Sequence, residues 1–366
     1  MKKILVTGSL GYIGSALTKY LTDKGFFVVG LDTGFFRDSV LYPPADTGTI
    51  LKDVRDIKED DLSGFDAVVH LAGISNDPLH KIDAARIYDP TRDYTLNIAN
   101  ICKNKGIKFI FSSSCSVYGV NEGLADENTP VNPQTPYSLN KVQIEEGLRK
   151  ISDNNFSPIA LRFATVFGPS PRLRFDVMVN MFAGMAVTGG AIVLNSDGSS
   201  WRPNVHVSDV CEAISRSIDL KHKGSGLLVL NVGDEANNLQ VIEIAKIVAN
   251  TLPGCEVKFL TKDPDLDSEG LIKDRKVEGG VDVRTYKVSF KKIRETIPGF
   301  KCERTLQDGA KELVRLFKDL SLIYDIFKKR DFYRLQKLEY LFNNGFLSKD
   351  LYWLKERPNL SFNSFK

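Results

Sequence analysis

Ile4-Leu5-Val6 runs straight into Thr7-Gly8-Ser9-Leu10-Gly11-Tyr12-Ile13-Gly14, and this junction limits the fold more than any other stretch. The apolar triplet reads as a short buried strand. A helix is expected over about residues 11–23, because Ile13, Leu17 and Leu21 share one face at helical spacing. Gly25 stops it, and residues 26–31 read as a second strand that ends at Asp32. The order is strand, glycine turn, helix, strand, acid. One glycine permits the tight turn, another lets backbone amides approach a pyrophosphate, and the last lets helix pack close on strand. The helix N-terminus offers partial positive charge to phosphates. An acid at the end of the second strand accepts hydrogen bonds from ribose hydroxyls. Three glycines alone can serve packing only. With strand, helix and acid in place they point to a bound dinucleotide. Asp32 repels a 2′-phosphate, which favours NAD, while Arg37 just beyond keeps NADP open.

The alternation continues. A strand at residues 49–51 precedes Asp53-Val54, where Asp53 is either an adenine acceptor or a turn acid. Ala67-Val68-Val69-His70-Leu71-Ala72-Gly73 reads as a fourth strand whose small terminal residues let a cofactor lie close; His70 fits a packed core position better than a catalytic one. A helix at residues 94–105 and strands at 108–112 and 158–163 follow. Strand and helix alternating this regularly imply an α/β fold with a doubly wound parallel sheet. Beyond residue 166 the pattern loosens: a basic turn at Arg172-Leu173-Arg174, a helix at 176–187, a strand at 191–194, and helices at 210–220 and 239–252. The expected organisation is a cofactor domain over residues 1–165 with returns to it from about 204–235, an interleaved substrate-binding lobe over 166–318, and an α-helical extension over 319–366. In that extension Tyr333, Leu335, Leu338, Leu341 and Phe342 recur at helical spacing, and acids interrupt the basic and aromatic residues. Amphipathic helices packed on the body or on a partner subunit are expected there.

Composition narrows the function. A formal charge of +3 over 366 residues gives no nucleic-acid footprint. No apolar run approaches the roughly 18 residues of a membrane span. The N-terminus starts like a signal peptide, but Thr7-Gly8 ends the apolar run after three residues, so a cytoplasmic protein is expected. Five scattered cysteines and four dispersed histidines have neither zinc-ligand nor redox-motif spacing, so no metal is expected.

Ser112-Ser113-Ser114-Cys115-Ser116-Val117-Tyr118-Gly119 follows the buried run Phe109-Ile110-Phe111, which puts hydroxyls at a strand's C-terminal end. After a loop, Pro136 opens a helix in which Tyr137 and Lys141 lie four apart on one face. A tyrosine is a poor base near its ordinary pKa of about 10, and a neighbouring ammonium favours its phenolate. Hydroxyl, phenol and ammonium beside a redox cofactor can move a proton while hydride moves at a carbinol.

With residues 7–14, Asp32, Asp53-Val54, 70–73, 112–119, 137–141, 162–169 and 202–209 taken together, the chain resembles the extended short-chain dehydrogenase/reductases. Within them it is similar to the NAD-dependent epimerase/dehydratase family acting on nucleotide sugars. The resemblance implies a Rossmann-like sheet with a smaller C-terminal substrate lobe, and Ser114, Tyr137 and Lys141 as catalytic residues. It implies NAD contacts at Gly8, Gly11, Tyr12, Ile13, Gly14, Asp32, Asp53, Val54, Leu71, Ala72, Gly73, Ser112, Tyr137, Lys141 and Phe163. For a nucleotide-diphosphate sugar it implies contacts at Ser75, Ser114, Ser116, Thr165, Arg202 and Arg284, with Arg172 and Arg174 as further phosphate contacts. It also implies a homodimer through the helices at 94–105 and 142–151. Family dehydratases carry an acidic pair where this chain has Cys115 and Ser116, and Thr91 and Thr165 stand where many epimerases have asparagines. The leading expectation is therefore an epimerase working at C4. A nucleotide-sugar C4 dehydrogenase or 4-ketosugar reductase comes second, and a dehydratase or a non-catalytic NAD-binding protein lies further off.

Overall fold

The computed structural model describes residues 1–75, 84–222, 224, 226–260 and 284–355. β1 (Lys3–Thr7), α1 (Tyr12–Asp23) and β2 (Phe27–Asp32) build the expected strand–helix–strand unit. β3 (Ile50–Leu51), β4 (Ala67–His70), α2 (Ala84–Lys105) and β5 (Lys108–Ser114) extend it. After β6 (Val120–Ala125), α3 (Pro136–Ile151) leads to β7 (Ile159–Phe163). Next come β8 (Thr165–Phe167), α4 (Met178–Gly189), β9 (Ala191–Leu194), β10 (Trp201–His206), α5 (Val207–Asp219) and β11 (Leu228–Val232).

Seven strands pair in the order β11-β7-β5-β4-β1-β2-β3, all of them parallel. Parallel strands are covered on both faces, which is why β4 and β7 are buried along their whole length. Leu17 and Leu21 of α1 join Val210 and Ile214 of α5 in the core on one face. Ile98 and Cys102 of α2 join Ile144 and Leu148 of α3 on the other. Strand order reverses between β1 and β4. In an open parallel sheet the crevice beyond the strand ends at such a reversal is where ligands bind. Thr7 and His70 end these two strands, so the glycine turn and the 71–75 loop face each other there.

His70 is the packed core histidine. Thr95 Oγ1 donates to the Thr91 carbonyl (2.6 Å), so it accepts the His70 Nε2 proton (3.0 Å). Nδ1 then accepts from Thr7 Oγ1 (2.9 Å). Burial, and after it the Lys141 charge, pushes the imidazole down to about 3. The unfolded chain takes up this proton below about pH 6.5 while the folded one does not, so folding stability falls on acidification through that window. We expect about 1.4 kcal/mol lost per pH unit from this group. Urea unfolding near pH 6, 5 and 4 should show a correspondingly shallower slope for His70→Gln than for the natural chain.

The remaining chain forms β12 (Asn238–Gln240), α6 (Val241–Ala249), β13 (Glu256–Phe259), β14 (Thr285–Val288), α7 (Lys291–Thr296), α8 (Leu306–Asp319), α9 (Tyr324–Phe327) and α10 (Arg334–Asn343). Small sheets β12-β10-β8, β13-β9 and β14-β6 carry it beside the large one. A second core gathers Phe182 of α4, Ile244 of α6, Leu313 of α8 and Phe327 of α9.

Three of the differences from the sequence reading have a clear physical cause. The helix expected at 239–252 starts only at Val241, because Gln240 caps it together with Glu243 (backbone N–H to Oε2, 2.7 Å) and the residues before it pair as β12. The helix expected at 94–105 begins at Ala84 and passes through Pro90. A mid-helix proline costs about 3 kcal/mol. Packing on α3, with Asn140 Nδ2 donating to the Tyr88 carbonyl (2.7 Å), holds the helix on both sides of it. The loop expected after Gly119 contains β6, whose largely exposed residues give no apolar period and whose partner β14 lies far along the chain.

Candidate active site

The glycine turn is built for close approach. Gly8 has φ 76°, and a Cβ there would stand 2.8 Å from the Ala72 backbone nitrogen. A Cβ on Gly14 would stand 2.1 Å from the Gly8 carbonyl oxygen. α1 starts after Gly11 with no side-chain cap and no acid in its first turn, so its N-terminal amides are open to an anion. Asp32 holds the turn from the other side, accepting from Leu10 N–H (3.0 Å) and Gly34 N–H (2.7 Å). Tyr12 donates its buried hydroxyl to the Gly168 carbonyl (2.7 Å), which ties the turn to the segment after β8.

Two cavities meet above this turn. The larger, of about 690 Å³, is lined by Gly8, Gly11, Tyr12, Ile13, Gly14, Leu71 and Gly73 on the cofactor side. The smaller, of about 110 Å³, is lined by Asp32, Asp53, Val54 and Ala72. Both oxygens of Asp53 are engaged by Arg55, at 2.8 and 2.6 Å. A glycine cradle, an uncapped helix end and an acid at the tip of β2, joined by one continuous crevice, suit a dinucleotide.

Across the larger cavity, β5 ends in Ser114, whose Oγ accepts from Ser116 N–H (3.2 Å) and caps a short 3₁₀ turn. Thr135 caps α3 in the same manner, accepting from Ser138 N–H (3.2 Å), and Pro136 sets the first turn. Tyr137 and Lys141 therefore project from one face into the cavity that Ser112, Ser114 and Ser116 line from β5. Lys141 Nζ donates to the Ser112 carbonyl (2.7 Å) and lies 5.6 Å from the Tyr137 ring centroid. Burial pushes its ammonium down to about 7, against the pull of the Glu145 carboxylate. Cys115 faces the opposite way, with its thiol donating to the Arg162 carbonyl (3.2 Å), and burial pushes its pKa up.

Beneath these groups lies a buried network that the sequence did not disclose. Arg162 of β7 meets Glu145 of α3 at 3.0 and 2.6 Å, and Ser113 of β5 donates to the same carboxylate (2.5 Å). Arg162 also donates to the Tyr118 hydroxyl (2.9 Å), which donates to Asn231 of β11 (2.9 Å).

Of the residues expected on the substrate side, Ser75, Thr165, Arg174, Arg202 and Arg284 line the larger cavity, as do Phe163 and Thr91. Arg174 pairs with Asp176 (2.8 Å); burial opposes that carboxylate's charge, but Arg174 overrides it and holds the acid at about 2. Arg172 is different. It is 1% exposed, its guanidinium donates to the Leu173 carbonyl (2.6 Å) and sits 4.5 Å from the Phe36 ring centroid, and it does not line either cavity. Residues two apart in an extended segment would share a face, but the chain bends at residues 171–172, so Arg172 turns into the core while Arg174 reaches the cavity. Sequence reading also missed Tyr324, Lys328 and Arg334, which the C-terminal extension brings into the larger cavity. They lie nearly two hundred residues beyond Tyr137 and carry no motif of their own.

The sequence model of the NAD dependent epimerase/dehydratase family matches residues 4–233. The chain belongs to this family. Its members are NAD-dependent enzymes, and so is this chain. The UDP-glucose 4-epimerase of Mycolicibacterium smegmatis is 31% identical over 236 residues, 59% of this chain and 72% of that protein. MoeE5, solved in complex with UDP-glucuronic acid and NAD, is 25% identical with a TM-score of 0.70, over 87% of this chain and 99% of that one. TunA, an NAD dependent-NDP-hexosamine 5,6-dehydratase, is 23% identical with a TM-score of 0.72, over 87% and 98% of the two chains, which is a likeness of fold. The family match stops at Gly233, before the extension that carries Arg334.

Proposed function

We propose that this chain is a nucleotide-sugar epimerase working at C4, with Ser114, Tyr137 and Lys141 as its catalytic residues. The observation that carries the reading is their placement. A phenol and an ammonium on one face of α3 meet the serine hydroxyl of β5 in the cavity that also holds the glycine cradle. The two positions after Ser114 are occupied by a buried thiol and a hydroxyl, so no carboxylate stands there to assist elimination of water.

NAD, when bound, supplies a hydride acceptor and donor at the sugar carbon. Gly8, Gly11, Gly14 and Asp32 would hold it. Ser114 donates to the C4 oxygen and orients it. Tyr137 removes the C4 hydroxyl proton as that carbon is oxidised and returns it when the alcohol re-forms. Lys141 places positive charge beside the phenol, and Arg174 and Arg334 add to it, since both interact electrostatically with Tyr137. This positive charge favours the phenolate that a proton acceptor must become. Arg202 and Arg284 also line the larger cavity, the Arg202 Nη1 donating to the Arg284 carbonyl, and present guanidinium groups suited to a nucleotide diphosphate.

The test is to incubate the purified protein with UDP-, GDP-, dTDP- and CDP-sugars and follow C4 configuration by NMR. A C4 epimer from at least one of them is expected, without net formation of NADH. No epimer from any of them sinks the reading. Stoichiometric NADH formation or consumption would replace it with a C4 dehydrogenase or a 4-ketosugar reductase.

A further inference from the structure

The C-terminal extension lies across the cofactor crevice. Lys337 of α10 is buried between Asp38 (2.6 Å) in the segment after β2 and Asp331 (3.0 Å). The Trp353 indole N–H donates to the Thr33 carbonyl (2.8 Å). Arg55 reaches the carbonyls of Asp350 (2.5 Å) and Leu351 (3.1 Å) and stacks on Tyr352. Leu338, Leu341, Leu347 and Leu351 bury themselves against Phe35, Ile87 and Tyr88. Asp350 and Leu351 thereby form part of the wall of the smaller cavity.

One side chain of this extension stands where the two cavities join. Gly8, Gly11, Leu71, Gly73, Ile74, Thr91 and Arg334 line both, and Arg334 is the one charged residue among them. Asp32 and Asp53 lie only in the smaller cavity; Ser114, Tyr137 and Lys141 lie only in the larger. A dinucleotide with its adenosine at Asp32 and its reactive ring at Tyr137 must pass its diphosphate through this junction. The uncapped N-terminus of α1 points into the same place.

Arg334 is 8% exposed, and its Nη1 donates to the Ser75 carbonyl (3.0 Å) and hydroxyl. Among the described residues its Nε has no hydrogen-bond partner. A buried guanidinium nitrogen without an acceptor is costly, and a phosphate oxygen is the acceptor its fork fits. Burial, then repulsion from Arg174 and Arg172, opposes its charge and pushes it down to about 9. An anion at the junction relieves that.

We propose that Arg334 is a diphosphate ligand for NAD, supplied by a C-terminal strap that closes the cofactor crevice. The assignment rests on the chain's NAD dependence and not on which sugar it uses. It also fits an enzyme that regenerates its own NAD at each turnover, since a strapped cofactor has no need to leave.

Calorimetry on the full chain, freed of cofactor, with ADP-ribose, adenosine and UDP tests it. Arg334→Met should weaken ADP-ribose about 10- to 100-fold, the loss expected for charge-assisted hydrogen bonds. Adenosine and UDP should change less than about threefold, because neither places a phosphate of the dinucleotide at the junction. Arg334→Lys, which keeps the charge without the fork, should fall between. The Met variant should also purify with less bound NAD than the natural chain. Since Arg334→Met leaves Asp176 with one fewer cation and can unfold, backbone hydrogen exchange on the natural chain supplies a second readout. ADP-ribose should slow exchange across α10. Equal ADP-ribose affinity in Met variant and natural chain, or no protection of α10, overturns the assignment and leaves NAD dependence standing. Loss of UDP binding instead of ADP-ribose binding would move Arg334 to the substrate and overturn it as well. A natural chain that binds no ADP-ribose would overturn both.

Discussion

Tyr137→Phe should lower turnover about a thousandfold and leave NAD bound, within the range that positioned general acids and bases contribute. The substitution removes one oxygen and keeps the ring. The ring keeps its neighbours: Tyr88 lies 6.5 Å away between centroids, and Lys141 Nζ 5.6 Å from the centroid. The helix start is set by Thr135, Pro136 and Ser138, so α3 stays where it is. In the proposed mechanism the variant loses the group that accepts the C4 proton as charge develops on oxygen. That interaction is made in the transition state, so kcat and kcat/KM should fall together while substrate binding barely moves. Steady-state rates with the substrate identified by NMR, beside the NAD content of the purified variant, are the measurements. A variant that keeps more than about a tenth of its turnover would mean that another group carries the proton.

The cofactor half was legible because its constraints are local. The strand, the glycine turn and the helix lie within the first 23 residues, and Asp32 closes the unit nine residues later. Tyr137 and Lys141 are one helical turn apart, so spacing alone gave their shared face. The parts that were not legible depend on pairings across the chain. β6 is polar and short, and only β14, some 160 residues on, makes it a strand. Arg172 and Arg174 look alike in sequence, and only the packing of Phe36 and Asp176 separates a buried guanidinium from one that faces the cavity. Arg334 sits in a stretch that reads as packed amphipathic helices, but it lies outside the apolar spacing of Tyr333, Leu335, Leu338, Leu341 and Phe342 that marks the packed face. In the structure Lys337 and Arg334 point inward, and Arg330 stacks on Tyr340 at 3.8 Å.

Arg162→Met should destabilise the fold by about 3–5 kcal/mol, the cost of leaving a buried carboxylate without its cation. Arg162 and Glu145 are both almost fully inaccessible, and their side chains meet at 2.6 Å. Burial works against the arginine's charge, but Glu145 overrides it and holds the guanidinium protonated. Without Arg162, Glu145 keeps Ser113 as a donor, which is too little for an ion in this setting. The Tyr118 hydroxyl loses its donor at the same time. Glu145→Leu combined with Arg162→Met should recover much of the loss, because replacing both partners with apolar groups removes the unpaired charge. Urea unfolding of the two single variants and the double variant gives the coupling directly. A double variant as unstable as the sum of the singles would mean that the two charges do not act as a pair. The consequence for catalysis follows from where the pair sits. Glu145 lies one turn beyond Lys141 on α3, and Ser113 lies one residue before Ser114 on β5. The network therefore fixes α3 against β5, and with it the gap between Ser114 and Tyr137. Turnover in the double variant should fall even where the fold survives, because a reacting group displaced by about an ångström loses on the order of a hundredfold in rate.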